Sequence, residues 1–198
     1  MSHLDTRPEA ASDASSALRN LLRWLLTFAG FPLGGVAAMV LTGPVDDLAA
    51  AIGGGLATGA VLGLVQSWGL RVGRRFAVRW VAATVVGLST GLAVGGSLVD
   101  FRTGLGDLVV QGAVSGLAVG AAQGVVLWSR LGRFAFGWPA YLAATWALGW
   151  AVTTAIGVRV DEQFTVFGSA GALTVALLTA VLPLQLARTA TTANEHQS

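Results

Sequence analysis

The chain contains no cysteine. That removes disulfides, thiolate metal sites, iron–sulfur clusters and cysteine nucleophiles together. It has no lysine either, so all twelve basic residues are arginine. The two histidines, His3 and His196, lie near the two ends of the chain, where neither can serve as a ligand or base at membrane depth. Charged residues make up 11% of the 198 positions and hydrophobic residues 54%, with a mean hydropathy of +0.69. Soluble domains carry about twice that share of charge, so the solvent around most of this chain is lipid. A net charge of +2 and a pI near 10.4 do not indicate a nucleic-acid partner, because the arginines form no long tract. Heavy use of Ala, Gly, Val, Leu and Arg without Lys points to a bacterium with a GC-rich genome, and hence to the bacterial cytoplasmic membrane.

A helix needs about twenty mostly apolar residues to cross the hydrocarbon core. Six stretches meet that length without an ionisable residue inside, at about 25–42, 48–70, 80–99, 108–129, 138–158 and 164–187. Short polar connections between them predict helical hairpins. The first span is read as retained rather than cleaved, because charged residues of both signs precede it and it takes part in an internal repeat. The expected organisation is a polar tail over 1–20, a transmembrane domain over 21–188 with hairpins at about 21–70, 76–129 and 137–188, and a short tail over 189–198.

Arginine placement predicts the orientation, since short Arg-rich loops stay on the cytoplasmic side. Arg7, Arg19, Arg23, Arg71, Arg74, Arg75, Arg79, Arg130, Arg133 and Arg188 fall on one side of the six spans. Arg102 and Arg159 fall on the other, among Asp46, Asp47, Asp100, Asp107, Asp161 and Glu162. Both ends of the chain are therefore expected inside. Trp24, Trp68, Trp80, Trp128 and Trp138 lie at the inner ends of spans, which predicts a belt of indoles at the headgroup layer.

The spans repeat. Odd-numbered spans place a Trp at the inner end and a Gly eleven residues later: Trp24 and Gly35, Trp80 and Gly91, Trp138 and Gly149. The even spans carry small residues every fourth position followed by Gln. In span two these are Gly55, Gly59, Gly63 and Gln66; in span four they are Gly112, Gly116, Gly120 and Gln123, 57 residues on. Span six keeps a weaker stripe, Gly168, Ala172, Ala176 and Ala180, and Gln185 is matched to the other two glutamines. Span three adds Gly87, Gly91 and Gly95. Three tandem in-out-in hairpins, related by an axis along the membrane normal, account for this pattern. Glycine at four-residue spacing allows the backbone contact that holds helices together in lipid, where apolar side chains gain nothing by leaving the lipid.

The run Gly59, Gly63, Gln66, Trp68, Arg71, Arg74, Arg75 and its counterpart Gly116, Gly120, Gln123, Trp128, Arg130, Arg133 resemble a family of uncharacterised bacterial multi-span proteins. In that family each hairpin runs from a glycine zipper into Gln, Trp and an Arg-rich inner turn. The likeness covers about two thirds of the chain. Ser67 between Gln and Trp in one copy, and Gly124 after Gln in the other, depart from the pattern. The resemblance implies the hairpin architecture and no activity.

Four groups of residues are candidates for function. Asp47, Asp107 and Asp161 recur in the outer turns and would form an acidic ring at an entrance if the repeats were symmetric; helix N-capping is the commoner use. Gln66, Gln123 and Gln185 would line a narrow polar path or bond between helices. Arg71, Arg74, Arg75, Arg79, Arg130 and Arg133 suit anionic lipid headgroups or an acidic partner. Tyr141, Trp146 and Trp150 would contact a lipid, quinone or pigment, or fill space opposite glycine. No ionisable group lies within any span, which argues against a proton relay, a voltage sensor or an intramembrane protease. Ser89, Thr90, Ser115 and Thr153 have no base at depth to activate them. No catalytic, cofactor or metal motif is present. These observations predict a non-enzymatic accessory or scaffold subunit that associates with itself or with other membrane subunits through glycine faces. The alternative is a passive channel or simple transporter along the repeat axis.

Overall fold

The computed structural model describes residues 18–157 and 168–195. Its regular structure is all-helical: α1 (Leu18–Thr42), α2 (Leu48–Leu70), α3 (Arg74–Leu98), α4 (Leu105–Leu131), α5 (Phe134–Ala155), α6 (Ser169–Leu178) and α7 (Val181–Glu195). Five stretches are long and apolar enough to cross a membrane, namely α1, α2, α3, α4 and the combined Ser169–Ala187. Helix α5, expected as the fifth span over 138–158, is not among them. It has 22 residues and no charge, but three Trp, Tyr141, Pro139 and three Thr lower its hydropathy. Trp138, Trp146, Trp150, Thr145 and Thr153 are buried against other helices. A helix that turns one side to its neighbours need not be apolar on that side. The expected start of the sixth span near residue 164, and the outer turn with Arg159, Asp161 and Glu162, lie outside the described residues.

Two of the rods are interrupted, and a proline explains each. Proline removes one backbone donor and crowds the carbonyl four residues earlier. Before Pro32, residues Thr27–Ala29 tighten into a single 3₁₀ turn. Before Pro183, the bonds shift from four-residue to three-residue spacing: Ala180 N–H donates to Leu177 O at 3.3 Å and Leu182 N–H to Thr179 O at 3.0 Å. The last rod is therefore α6 and α7 joined by a bend at Thr179 and Ala180. Pro139 sits only five residues into α5, where it is tolerated.

Each helix packs chiefly on its neighbours in sequence, and α6 returns to α1, closing a ring. Glycine sets the spacing of the ring. A Cβ placed on Gly55, Gly59 or Gly63 of α2 would come within 2.5, 2.7 and 2.9 Å of the α-carbons of Ser89, Val85 and Val81 on α3. The α3 stripe does the same to α4. Gly87 faces Val119 and Gly91 faces Ser115, each at 2.6 Å from the α-carbon, and Gly95 faces Gln111 O at 3.1 Å. On α4, Gly112 is covered by Trp150 and Trp146, Gly116 by the carbonyl of Leu142, and Gly120 by Pro139. On α6, Gly171 meets the carbonyl of Gly149 on α5. All nine of the expected packing glycines are thus engaged within the chain. The expectation that these glycine faces serve contact with other subunits is corrected: each helix uses one stripe to seat the next, and all nine glycines meet neighbours within the chain.

Candidate functional site

Trp24, Gln66, Trp80, Gln123, Trp138 and Thr179 come from six different rods and line one internal space, together with Val119, Leu142, Trp146 and Val175. A space bordered by every rod of a closed ring lies at its centre. It measures about 10 Å³, close to the least that admits one water molecule.

The three tryptophans of the repeat are its walls. Trp24, Trp80 and Trp138 are 1%, 0% and 2% exposed, whereas Trp68 and Trp128 are 49% and 50% exposed. The expected headgroup belt is thus corrected for three of the five indoles, because each has an interior acceptor for its N–H. Trp80 Nε1 donates to Gln66 Oε1 at 3.1 Å, and Trp138 Nε1 to Gln123 Oε1 at 3.0 Å. The Gln123 amide then donates to Thr84 Oγ1 at 3.0 Å and approaches Gln66 Oε1 at 3.4 Å, linking α4, α3 and α2. Thr84 Oγ1 is held in turn by Trp80 O at 2.8 Å. The network satisfies buried polar groups that would otherwise be costly where no water reaches.

The third copy reaches the same end by another route. Trp24 Nε1 donates to Ala176 O at 3.0 Å and lies 3.3 Å from Thr179 Oγ1. Counting eleven residues from Gly55 gives Gln66, from Gly112 gives Gln123, and from Gly168 gives Thr179. Thr179, not Gln185, therefore holds the third place. Gln185 lies on α7 beyond the bend and does not border the central space. The signal was in the spacing, but a search for glutamine passes over threonine.

Above this level the interior is filled. Phe31 meets Trp146 edge-on at 5.7 Å between centroids, and Leu88, Leu92 and Trp150 are buried around them. Trp146 and Trp150 cover Gly112, so filling space is their role here. Tyr141, half on the surface, donates its hydroxyl to Leu178 O at 2.6 Å and holds the end of α6. The buried hydroxyls of Ser89 and Thr153 donate to the carbonyls of Ile52 and Gly149; that of Ser115, whose backbone lies against Gly91, has no hydrogen-bond partner.

The acidic turns do not behave as equivalents. Asp47 is the N-cap of α2, accepting from Ala50 N–H at 2.7 Å. Asp107 lies inside the first turn of α4 and pairs at 3.1 Å with Arg102, which also reaches Asp100 at 3.2 Å. The hydrogen bond from Arg102 to Asp107 and the charge of that carboxylate raise the guanidinium pKa further above its ordinary value. Asp161 lies outside the described residues.

The six arginines expected on the cytoplasmic side divide among three places. Arg74, Arg75 and Arg79 flank Val78 on the outer face of α3. Arg133 borders an apolar groove with Phe134, Gly137, Trp138, Tyr141 and Val181. Arg71 and Arg130 share a recess of about 300 Å³ with Asn20, Gly69, Pro183 and Ala187, formed by α1, α2, α4 and α7. Arg130 also lies over the ring of Phe76 at 4.6 Å, as Arg23 lies over Trp68. Among the described residues, no group of three or more His, Asp or Glu could hold a metal. Compared with known protein families, curated proteins and solved structures, the chain matches none.

Proposed function

We propose that this is a non-enzymatic membrane protein of six spans, with both ends in the cytoplasm, acting as a self-contained packed unit in the bacterial inner membrane. The observation that carries the role is the centre of the ring, where three indoles tied to amides and a carbonyl leave about 10 Å³. Such a centre serves rigidity, and it offers neither a path nor a cavity for a substrate. An accessory subunit would dock through its outer, lipid-facing surface, since the glycine stripes are already engaged inside the chain. α5 acts as the fifth span, bringing the total to six, because it is 22 residues long and uncharged, about 33 Å at 1.5 Å per residue, and because its aromatic side faces other helices. The gathering of Asn20, Arg71, Arg130 and Ala187 at one recess supports a common cytoplasmic side for the basic ends.

Proteoliposome flux tests the role. Wild-type protein is expected to pass water, monovalent ions and small neutral solutes no faster than protein-free vesicles. A solute-selective flux abolished by Gln123→Leu would sink this reading and revive the channel, which the convergence of Gln66 and Gln123 otherwise favours. Orientation is open to a clean test because the chain lacks cysteine: single cysteines at Val72 and Thr103 should label from opposite faces, Val72 from the cytoplasm.

A further inference from the structure

We infer that the recess between α1, α2, α4 and α7 is a binding site for a phosphate monoester or diester, either a lipid headgroup or a free organic phosphate. The inference rests on the membrane reading but not on the accessory role. Arg71 and Arg130 come from helix ends 59 positions apart in sequence, yet they border the same recess of about 300 Å³, with the Asn20 amide beside them. Among the described residues no acidic side chain lines it, and neither arginine is paired with a carboxylate. Two unneutralised guanidinium groups facing one concavity repel each other, and an anion between them relieves that repulsion. The backbone of Arg71 and the guanidinium of Arg130 are each held in place. Arg71 is in the left-handed conformation at the C-cap of α2 (φ 53°), with its N–H donating to Trp68 O at 3.3 Å. Arg130 rests with its guanidinium carbon 4.6 Å from the centre of the Phe76 ring. A guanidinium resting over a ring keeps N–H donors for an oxyanion, and the donors of Arg130 and Arg71 together suit the oxygens of one phosphate. The remaining wall, from Leu70, Val72, Pro183 and Leu186, is apolar and would accommodate a glycerol or the first methylenes of an acyl chain.

Arg74 and Arg75 provide the control, since they carry the same charge on the same side but flank the outer face of α3 rather than the recess. The full-length protein, stripped of lipid in detergent, would be titrated with phosphatidylglycerol, phosphatidylcholine and glycerol 3-phosphate, with bound species counted by native mass spectrometry and calorimetry. Phosphatidylglycerol should bind in preference to phosphatidylcholine, and Arg71→Gln with Arg130→Gln should weaken it about 30-fold, at roughly fivefold per arginine. Arg74→Gln with Arg75→Gln should leave it within about twofold. Because the arginine variant could fold poorly, Ala187→Trp serves as a second test: it keeps every charge, fills the recess, and should abolish binding. Glycerol 3-phosphate binding lost in the same variants would assign the site to a soluble phosphate; its absence alongside phosphatidylglycerol binding would assign it to a lipid. Equal losses in the Arg74/Arg75 variant, undiminished binding in Ala187→Trp, or no preference for either phosphate probe would overturn the inference.

Discussion

Adding one methyl group at Gly59 should separate two helices. The Cβ of Gly59→Ala would lie 2.7 Å from Val85 Cα and 3.0 Å from Thr84 O, while ordinary contact begins at 3.4 Å. The shortfall is 0.7 Å (3.4 − 2.7), and both neighbours are backbone, so no rotamer change relieves it. Relief requires α3 to move outward, which loosens the Gly55 and Gly63 contacts on either side and pulls Trp80 and Thr84 from the central network. Overpacking of this kind costs about 1–3 kcal/mol, and a rigid backbone contact belongs at the upper end. Alanine recovers about 1 kcal/mol through its helix propensity. The net expectation is a loss of about 2 kcal/mol, read as a lower midpoint in SDS-titrated unfolding from mild detergent. Gly137→Ala supplies the opposite sign within the same assay. Nothing lies within 4 Å of a Cβ there, so the propensity gain stands alone and stability should rise by up to about 1 kcal/mol. If both variants moved stability in the same direction, close backbone approach would not be what holds α2 to α3.

Gln123→Leu should lower stability by about 2 kcal/mol, because it leaves the Trp138 indole N–H without its acceptor and removes the donor to Thr84 Oγ1; Gln185→Leu, beyond the bend, should match the parent within error in the same unfolding titration. Asp47→Ala removes the N-cap of α2 and should cost about 1 kcal/mol, whereas Asp107→Ala breaks only an exposed pair with Arg102 and should change the midpoint by less than about 0.5 kcal/mol. Raising salt to 1 M should erase what remains of the Asp107 effect and leave that of Asp47, since screening acts on the exposed charge pair more than on a local hydrogen bond.

Much of the helical frame could be read from hydropathy and the glycine period, because both report directly on what a helix faces. The Gly55, Gly59 and Gly63 stripe lies where the α3 backbone comes closest, and Gln66 and Gln123, which share a place in the repeat, lie within 3.4 Å of each other. What the glycines packed against was not legible. A stripe specifies that a backbone approaches closely, without saying whether that backbone belongs to the next helix or to another subunit. The tryptophans misled for a related reason. An indole at the end of an apolar run satisfies the interfacial pattern equally well whether its N–H meets a headgroup or a glutamine on the neighbouring helix. Trp68 and Trp128 remain on the surface, while Trp24, Trp80 and Trp138 turn inward. Only the latter three stand eleven residues before a repeated glycine, so the repeat distinguished core from surface where residue type did not.

The third hairpin shows how a backbone can take over a side chain's task. In the first two copies of the even span, a glutamine oxygen accepts the indole proton of Trp80 or Trp138. In the third, the acceptor is the carbonyl of Ala176. A carbonyl in mid-helix is normally taken by the N–H four residues later, here that of Ala180. Pro183 prevents the regular arrangement around Thr179, and the Ala180 N–H turns to Leu177 O instead. Ala176 O is thereby released from its usual partner and stands where Trp24 needs an acceptor, with Thr179 Oγ1 beside it. The proline that looks like a defect in the last span is thus coupled to the closure of the ring between α6 and α1. Pro183→Ala should let α6 and α7 join into one continuous helix, return Ala176 O to Ala180, and leave the Trp24 indole without a partner. Amide exchange at Ala180 should slow while that of α1 around Trp24 quickens. Slower exchange at both places would show that the bend and the closure are independent.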